Sequence, residues 1–313
     1  MPAAVDVASL TRTYRTSART VVALDRLDLT IAEGTITGIL GENGAGKTTL
    51  AKILSTLLLP SSGRARVFGY DVVAEAREVR ALTTAVFGGD RGLYPMLSGR
   101  ENLRYFAAVH GVRPSELRRR GPELLASAGL ADAADRRVET YSKGMRQRLH
   151  ICIGLLTRPR LLLLDEPTVG LDPAESARLR TVISGFPAEG TTVLLTSHNL
   201  LDVEQLAERV VMLARGRIAH DLGVAQFRRL SGREAVVSVT VEGAARLTDA
   251  LRALGARPGS GASALEIPVA RWSSDVLRQL SAALDGQTIT DLDVRSTTLD
   301  DAFAAAAGAT GAS

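Results

Sequence analysis

Residues 41–49 read GENGAGKTT and fill the pattern G-x-x-x-x-G-K-[ST] with Gly41, Gly46, Lys47 and Thr48. Gly41, Gly44 and Gly46 let a backbone turn tightly with its N–H groups facing inward. Such a nest at the positive end of a helix holds a polyphosphate, and Asn43, Ala45 and Thr49 belong to the same cradle. In that arrangement Lys47 reaches the β- and γ-phosphates, and the Thr48 hydroxyl binds Mg²⁺. The chain holds three lysines, Lys47, Lys52 and Lys143, against 35 arginines. Keeping a lysine at 47 suits a site that wants a compact point charge instead of a planar fork. The chemistry implied is capture of a nucleoside triphosphate. The plainer reading is a glycine-rich turn before a helix.

A second set of residues stands far along the chain. Asp165-Glu166-Pro167 follows the apolar run 161–164. Two acids at the carboxyl end of a buried strand fit a nucleotide site: Asp165 would hold Mg²⁺ through water, and Glu166 would polarise an attacking water. His198, after the strand read at 191–196 and Ser197, could donate to a γ-phosphate; a lone histidine there is more often inert. Tyr14 could stack on a purine or cap a sheet edge, and the residues alone leave both open.

These groups need a scaffold. The β-branched, apolar run 35–40 reads as the strand before the glycine loop, and 49–54 has helical spacing behind it. Runs 5–7, 21–24 and 27–31 read as further strands, with Tyr14 on a turn between the first two. Ser98-Gly99-Arg100-Glu101 is a capping box opening a helix with Leu103, Phe106, Ala107 and His110 on one face. The segment 114–130 reads as helix interrupted at Gly121-Pro122. Ser142 caps a helix over 143–157, so residues about 91–157 form a helical insertion in an α/β fold. Four leucines before Asp165 mark a central parallel strand buried on both faces. Runs 209–213 and 217–219 make a closing hairpin. Beyond 230 the composition changes: strands at 235–241, 265–269 and 288–294 alternate with helices near 245–254 and 272–284. Residues 231–313 therefore read as a small α+β domain after a first domain of 1–230.

A chain of 313 residues suits two domains, and 45% hydrophobic with 23% charged residues is ordinary globular composition. No apolar run approaches the roughly 18–20 residues that cross a bilayer. The first residues lack a secretory pattern, so a cytoplasmic protein is expected. Cys152 is the only cysteine, which excludes an internal disulfide and a multi-cysteine zinc site; it is expected on the buried face of its helix. A net charge of +4 raises nucleic acid as a partner. Scattered arginines, 4% aromatics and the lack of a zinc-finger or RNA-binding motif speak against nucleic acid. An anionic membrane surface suits that charge equally. Arg118-Arg119-Arg120 reads as a solvated helix face.

Ser142-Lys143-Gly144-Met145-Arg146-Gln147-Arg148-Leu149 resembles the signature motif of ATP-binding cassette proteins. The order of motifs over residues 4–225 is also similar: Tyr14, the glycine loop, the signature, LLLLDEP, then Gly170-Leu171-Asp172-Pro173 and Ser197-His198. The resemblance implies a P-loop, RecA-like ATPase core with a helical insertion. It implies ATP with Mg²⁺, held between one copy's glycine loop and the signature of a second. The second copy is the same chain or a paralogous subunit. On that pattern Tyr14 stacks on adenine, Ser142, Gly144 and Asp172 meet nucleotide across the dimer, and His198 is the switch. The partner would be a separate transmembrane permease, met near residues 89–101 at the cytoplasmic face of the membrane. Lys143 and Met145 depart from the usual signature, and the SKGM form resembles the branch of drug and antibiotic exporters. Residues 230–302, ending in Thr298-Leu299-Asp300-Asp301-Ala302-Phe303, resemble the appendage of that branch. Gly89 stands where the family has a glutamine near Mg²⁺; the adjacent Asp90 either supplies that oxygen or caps the turn. The expected function is the ATPase subunit of an exporter. The alternatives are a soluble cassette ATPase acting on ribosomes or DNA and a regulatory nucleotide switch.

Overall fold

A computed structural model describes residues 2–15, 19–87 and 92–311, with side chains to 306. The chain divides into two units, Met1–Gly223 and Val224–Ser313. The first opens with β1 (Ala3–Arg15) and β2 (Thr20–Ala32), a long antiparallel pair with register shifts along it. The runs read as two strands at 21–24 and 27–31 are one strand, because bulges carry the ladder past Arg26. Tyr14 therefore lies within β1, opposite Val21, and not on a turn.

β3 (Ile36–Leu40) leads through the glycine loop into α1 (Lys47–Leu54). Then come β4 (Ser62–Val67), β5 (Tyr70–Asp71), α2 (Ala76–Leu82) and β6 (Thr83–Phe87). Three helices follow before the chain returns to the sheet: α3 (Gly99–Val109), α4 (Pro114–Ser127) and α5 (Lys143–Gly154). β7 (Leu161–Asp165), α6 (Pro173–Ser184), β8 (Thr192–Thr196) and α7 (Leu200–Leu206) complete the core. β9 (Arg209–Ala214) and β10 (Arg217–Gly223) form the closing hairpin.

The central sheet runs β10-β9-β3-β8-β7-β6. All neighbours but β10 are parallel, as fully buried strands joined by helices require. Leu161 to Leu164 are at most 1% exposed, so each leucine contributes about 2 kcal/mol of burial. A second sheet, β2-β1-β4-β5, shares the core with α1: Leu10, Leu27 and Ile31 pack in one cluster with Leu50, Ile53 and Leu163.

The helical segment corrects three expectations. α4 runs unbroken through Pro122, although an interior proline removes one N–H donor. The burial of Leu124 and Leu125 on its inner face offsets that loss. Arg120 turns inward and donates to the Leu156 carbonyl at 3.1 Å, and burial lowers its pKa; only Arg118 and Arg119 are solvated. His110 is exposed at the C-cap of α3, while Leu103 and Ala107 are buried. The capping box forms: Ser98 Oγ accepts from Glu101 N at 3.2 Å, and Glu101 accepts from Ser98 N at 2.8 Å.

The second unit holds α8 (Val224–Arg228), β11 (Ala235–Val241), α9 (Asp249–Ala253), β12 (Arg257–Pro258) and β13 (Ala264–Val269). α10 (Ser274–Ala283), β14 (Ile289–Ser296) and α11 (Leu299–Gly311) follow. Its antiparallel sheet, β12-β13-β11-β14, buries alternate residues Val237, Val239 and Val241 against Leu251 and Leu280. α8 packs on α11, so this unit begins at 224, ahead of the border at 230 read from composition. Among the described residues no helix is long and apolar enough to cross a membrane.

Candidate nucleotide site

α1 starts at the end of the glycine loop with Gly46 as its N-cap and no side chain bonded to its first N–H groups. Those donors are thus left for an anion, and the helix dipole favours one. Gly46 has φ +109°, and a Cβ there would come within 2.5 Å of the Ala23 carbonyl, so only glycine fits. Gly44 differs: it is exposed, with φ +85° and open space where a Cβ would stand, so backbone conformation and not crowding favours glycine there. Lys47 is buried; its Nζ donates to the carbonyls of Gly41 (2.7 Å) and Glu42 (3.3 Å) and lies 3.8 Å from Glu166 Oε1.

Because β3, β8 and β7 are parallel neighbours, their carboxyl ends deliver the glycine loop, His198 and the two acids to one edge. Thr48 Oγ1 lies 2.9 and 3.1 Å from the two Asp165 oxygens. Asp165 also accepts from Thr196 Oγ1 at the end of β8. Glu166 has φ +53°, a region L residues seldom adopt, and its N–H donates to the Thr196 carbonyl at 2.9 Å. That turn aims its carboxylate at His198: Oε2 is 2.6 Å from Nδ1 and 3.2 Å from the His198 N–H. Asn43, Thr48, Asp165, Glu166 and His198 line one cleft of about 540 Å³ with Lys52, Phe87 and Val169. Of the residues expected in the cradle, Gly41, Gly44, Ala45, Gly46, Lys47 and Thr49 are not among those walling this cleft; they shape the loop and the first turn behind it.

The oxygen pair of Thr48 and Asp165 fits a hard cation. Among the described residues no three His, Cys, Asp or Glu side chains form a cage. Mg²⁺ needs none, because it takes one or two protein oxygens and completes its shell with water and phosphate oxygens.

Ser142, Gly144 and Asp172 stand apart from this cleft, at the starts of α5 and α6. Ser142 caps α5, accepting from Met145 N at 3.1 Å, and Asp172 caps α6, accepting from Glu175 N at 2.9 Å. The two helix starts are tied together by Glu175, which accepts from Arg148 at 2.9 Å. A Cβ on Gly144 would sit 2.2 Å from Glu175 Oε2 and 2.9 Å from Glu175 Cβ, so that glycine is also a packing requirement. Tyr14, at the end of β1, is partly exposed, and the Arg12 guanidinium stacks 4.7 Å from its ring centroid. Gly89 and Asp90 lie outside the described residues.

Residue patterns alone missed Thr196, Thr168 and Asp202. Thr196 adjoins Ser197-His198 and sits opposite Asp165 in the ladder, a position visible only once strand order is known.

A glycine-loop cradle after β3, facing two carboxylates at the end of β7 across the intervening parallel β8, defines a P-loop nucleoside triphosphatase. The family model described as ABC transporter matches residues 24–169, and the chain belongs to that family as an ATP-binding, ATP-hydrolysing subunit. The daunorubicin resistance ATP-binding protein DrrA3 of Streptomyces coeruleorubidus is 39% identical over 287 residues, covering 90% of each chain. The daunorubicin/doxorubicin resistance ATP-binding protein DrrA of Streptomyces peucetius is 36% identical, over 97% of this chain and 92% of its own. Among solved structures, the dimeric post-hydrolysis state of the ATP-binding cassette MJ0796, bound to ADP and Pi, matches with a TM-score of 0.63. It is 25% identical, over 70% of this chain and 98% of that one.

Proposed function

We propose that this chain powers a separate membrane permease that exports a hydrophobic, drug-like compound, working at the cytoplasmic face of the membrane. One observation carries the hydrolytic part: Glu166 Oε2 lies 2.6 Å from His198 Nδ1 while Glu166 Oε1 lies 3.8 Å from Lys47. The loop N–H groups and Lys47 bind the β- and γ-phosphates. Thr48 and Asp165 hold Mg²⁺, which when bound neutralises phosphate charge. Glu166 accepts the proton of the attacking water, and His198 orients Glu166 and meets the γ-phosphate. Two copies, or this chain and a paralogue, close head to tail. Ser142, Gly144 and Asp172 of one then complete the site of the other, which agrees with their standing apart from the cleft of their own chain. Tyr14 takes the adenine ring.

The drug-export part draws support from relatives named for daunorubicin and doxorubicin resistance that align over both units of the chain. The permease would dock where Tyr94, Met96, Tyr105 and Val109 expose apolar surface on the helical segment.

Inverted membrane vesicles holding the chain and its permease test the whole reading. ATP should drive daunorubicin accumulation. Glu166→Gln should retain ATP binding but slow hydrolysis and uptake by roughly two to four orders of magnitude. Lys47→Ala should weaken ATP binding itself. Wild-type hydrolysis by Glu166→Gln would sink the hydrolytic assignment; hydrolysis without daunorubicin uptake would sink only the substrate class.

A further inference from the structure

Beneath the Glu166–His198 contact lies a second link between the same two loops, and it is buried. Asp202, in the first turn of α7, is 0% exposed. Arg180 of α6 donates to its Oδ1 at 2.8 Å, an ion pair of two almost wholly buried side chains. The other oxygen, Oδ2, accepts two hydroxyls: Thr168 Oγ1, and Ser197 Oγ at 3.2 Å. Ser197 Oγ also accepts from the Asn199 N–H at 2.9 Å.

Neutralising Arg180 explains one carboxylate oxygen. It does not explain why the other joins hydroxyls from two loops that come from different strands. Thr168 lies two residues after Glu166, at the end of β7, and Ser197 immediately precedes His198, at the end of β8. A buried carboxylate that lost these donors would be left short of the hydrogen bonds that make its burial tolerable. The bonds therefore hold both loops to one fixed point in the core. Above that point, Glu166 and His198 meet on the solvent side, where the His198 side chain is 55% exposed. An exposed imidazole has little packing to orient it, so its backbone must do so.

We propose that Asp202 is a positioning residue for hydrolysis: through Thr168 and Ser197 it clamps the loop of Glu166 to the loop of His198 and sets their contact. The inference rests on the reading of Glu166 and His198 as the hydrolytic pair. Asp202 is fully buried beneath the site and acts through its neighbours.

The test uses the full chain with Thr168→Val, Ser197→Ala and Asp202→Asn. The first two keep the Arg180–Asp202 pair, so they decide the question even if Asp202→Asn does not fold. Thr168→Val is the cleanest, because Ser197 also serves the Asn199 N–H. The four histidines give few enough ring signals for ¹⁵N–¹H correlation, with His198→Ala assigning the one of interest. Each hydroxyl variant should move the His198 ring nitrogens and leave His110, His150 and His220 in place. Turnover should fall about tenfold, as expected when a reacting group is misplaced by a fraction of an ångström or more. KM for ATP should stay within about twofold, because the phosphate cradle is untouched. Unmoved His198 signals, or wild-type turnover in both hydroxyl variants, overturns the clamp. Wild-type turnover in Glu166→Gln and His198→Ala would instead overturn the reading beneath it, and the ring signals would still report whether Asp202 orients His198.

Discussion

Thr48 and Asp165 face each other at 2.9 Å because the acid ending β7 and the first turn of α1, which follows β3, meet at one sheet edge across the intervening β8. If they share Mg²⁺, Thr48→Val keeps the shape of the side chain and removes one oxygen. The gain in ATP affinity on adding Mg²⁺, measured against EDTA by titration calorimetry, should shrink by about 10- to 100-fold in Thr48→Val. It should persist in Thr48→Ser. Cys152 makes the opposite kind of residue-scale prediction. Burial pushes its thiol up to about 12, and its Sγ donates to the Leu124 carbonyl. At pH 8 only about one thiol in ten thousand is then ionised in the folded chain. Iodoacetamide should leave the native protein unlabelled and modify one site after denaturation, as counted by mass spectrometry.

At the scale of elements, the contact that matters most is between α5 and α6. Arg148 of α5 donates to Glu175 of α6 at 2.9 Å and to the Ala128 carbonyl at 2.8 Å, and Glu175 also accepts from Arg178. Gly144 gives these helices room to approach. Gly144→Ala puts a methyl against both the carboxylate and the Cβ of Glu175, and the Cβ cannot swing away as a side-chain end can. The substitution should cost about 1–3 kcal/mol in urea unfolding, with no nucleotide present. A variant as stable as wild type would show that α6 shifts freely and that Gly144 serves nucleotide contact alone. The same two helices carry Ser142 and Asp172 at their starts, so one packing contact sets the spacing of both groups.

At the scale of the molecule, two units with separate cores predict that the first works without the second. A chain ending at Gly223 should bind ATP with an affinity within about threefold of the full chain. A chain ending at Gly232 should behave worse. It keeps α8, with the fully buried Phe227, but removes α11, on which α8 packs. Size-exclusion chromatography should show the longer truncation aggregating and the shorter one running as a discrete species. Loss of ATP binding in a well-folded Gly223 truncation would overturn the division of labour between the units.

The glycine loop, the strand-end acids, the capping box at Ser98 and three of the four strands of the second unit, all but the short β12, were legible in the sequence. Each depends on a contiguous pattern: glycines that release the backbone, apolar runs of strand length, or a cap and its partner three residues on. The long β1–β2 pair, the unbroken α4 and the inward turn of Arg120 were not, because each is decided by what packs alongside. A bulge, a buried leucine face or a distant carbonyl outweighs the local preference there. The same holds for the polar links of Thr196 to Asp165 and of Asp202 to Thr168 and Ser197. Their partners are up to 34 residues apart in sequence, and they meet only because β8 inserts between β3 and β7. Local pattern thus determined which groups this chain brings to the site. Strand order decided which of them touch, since it sets which strand ends come within hydrogen-bonding reach of one another at the sheet edge.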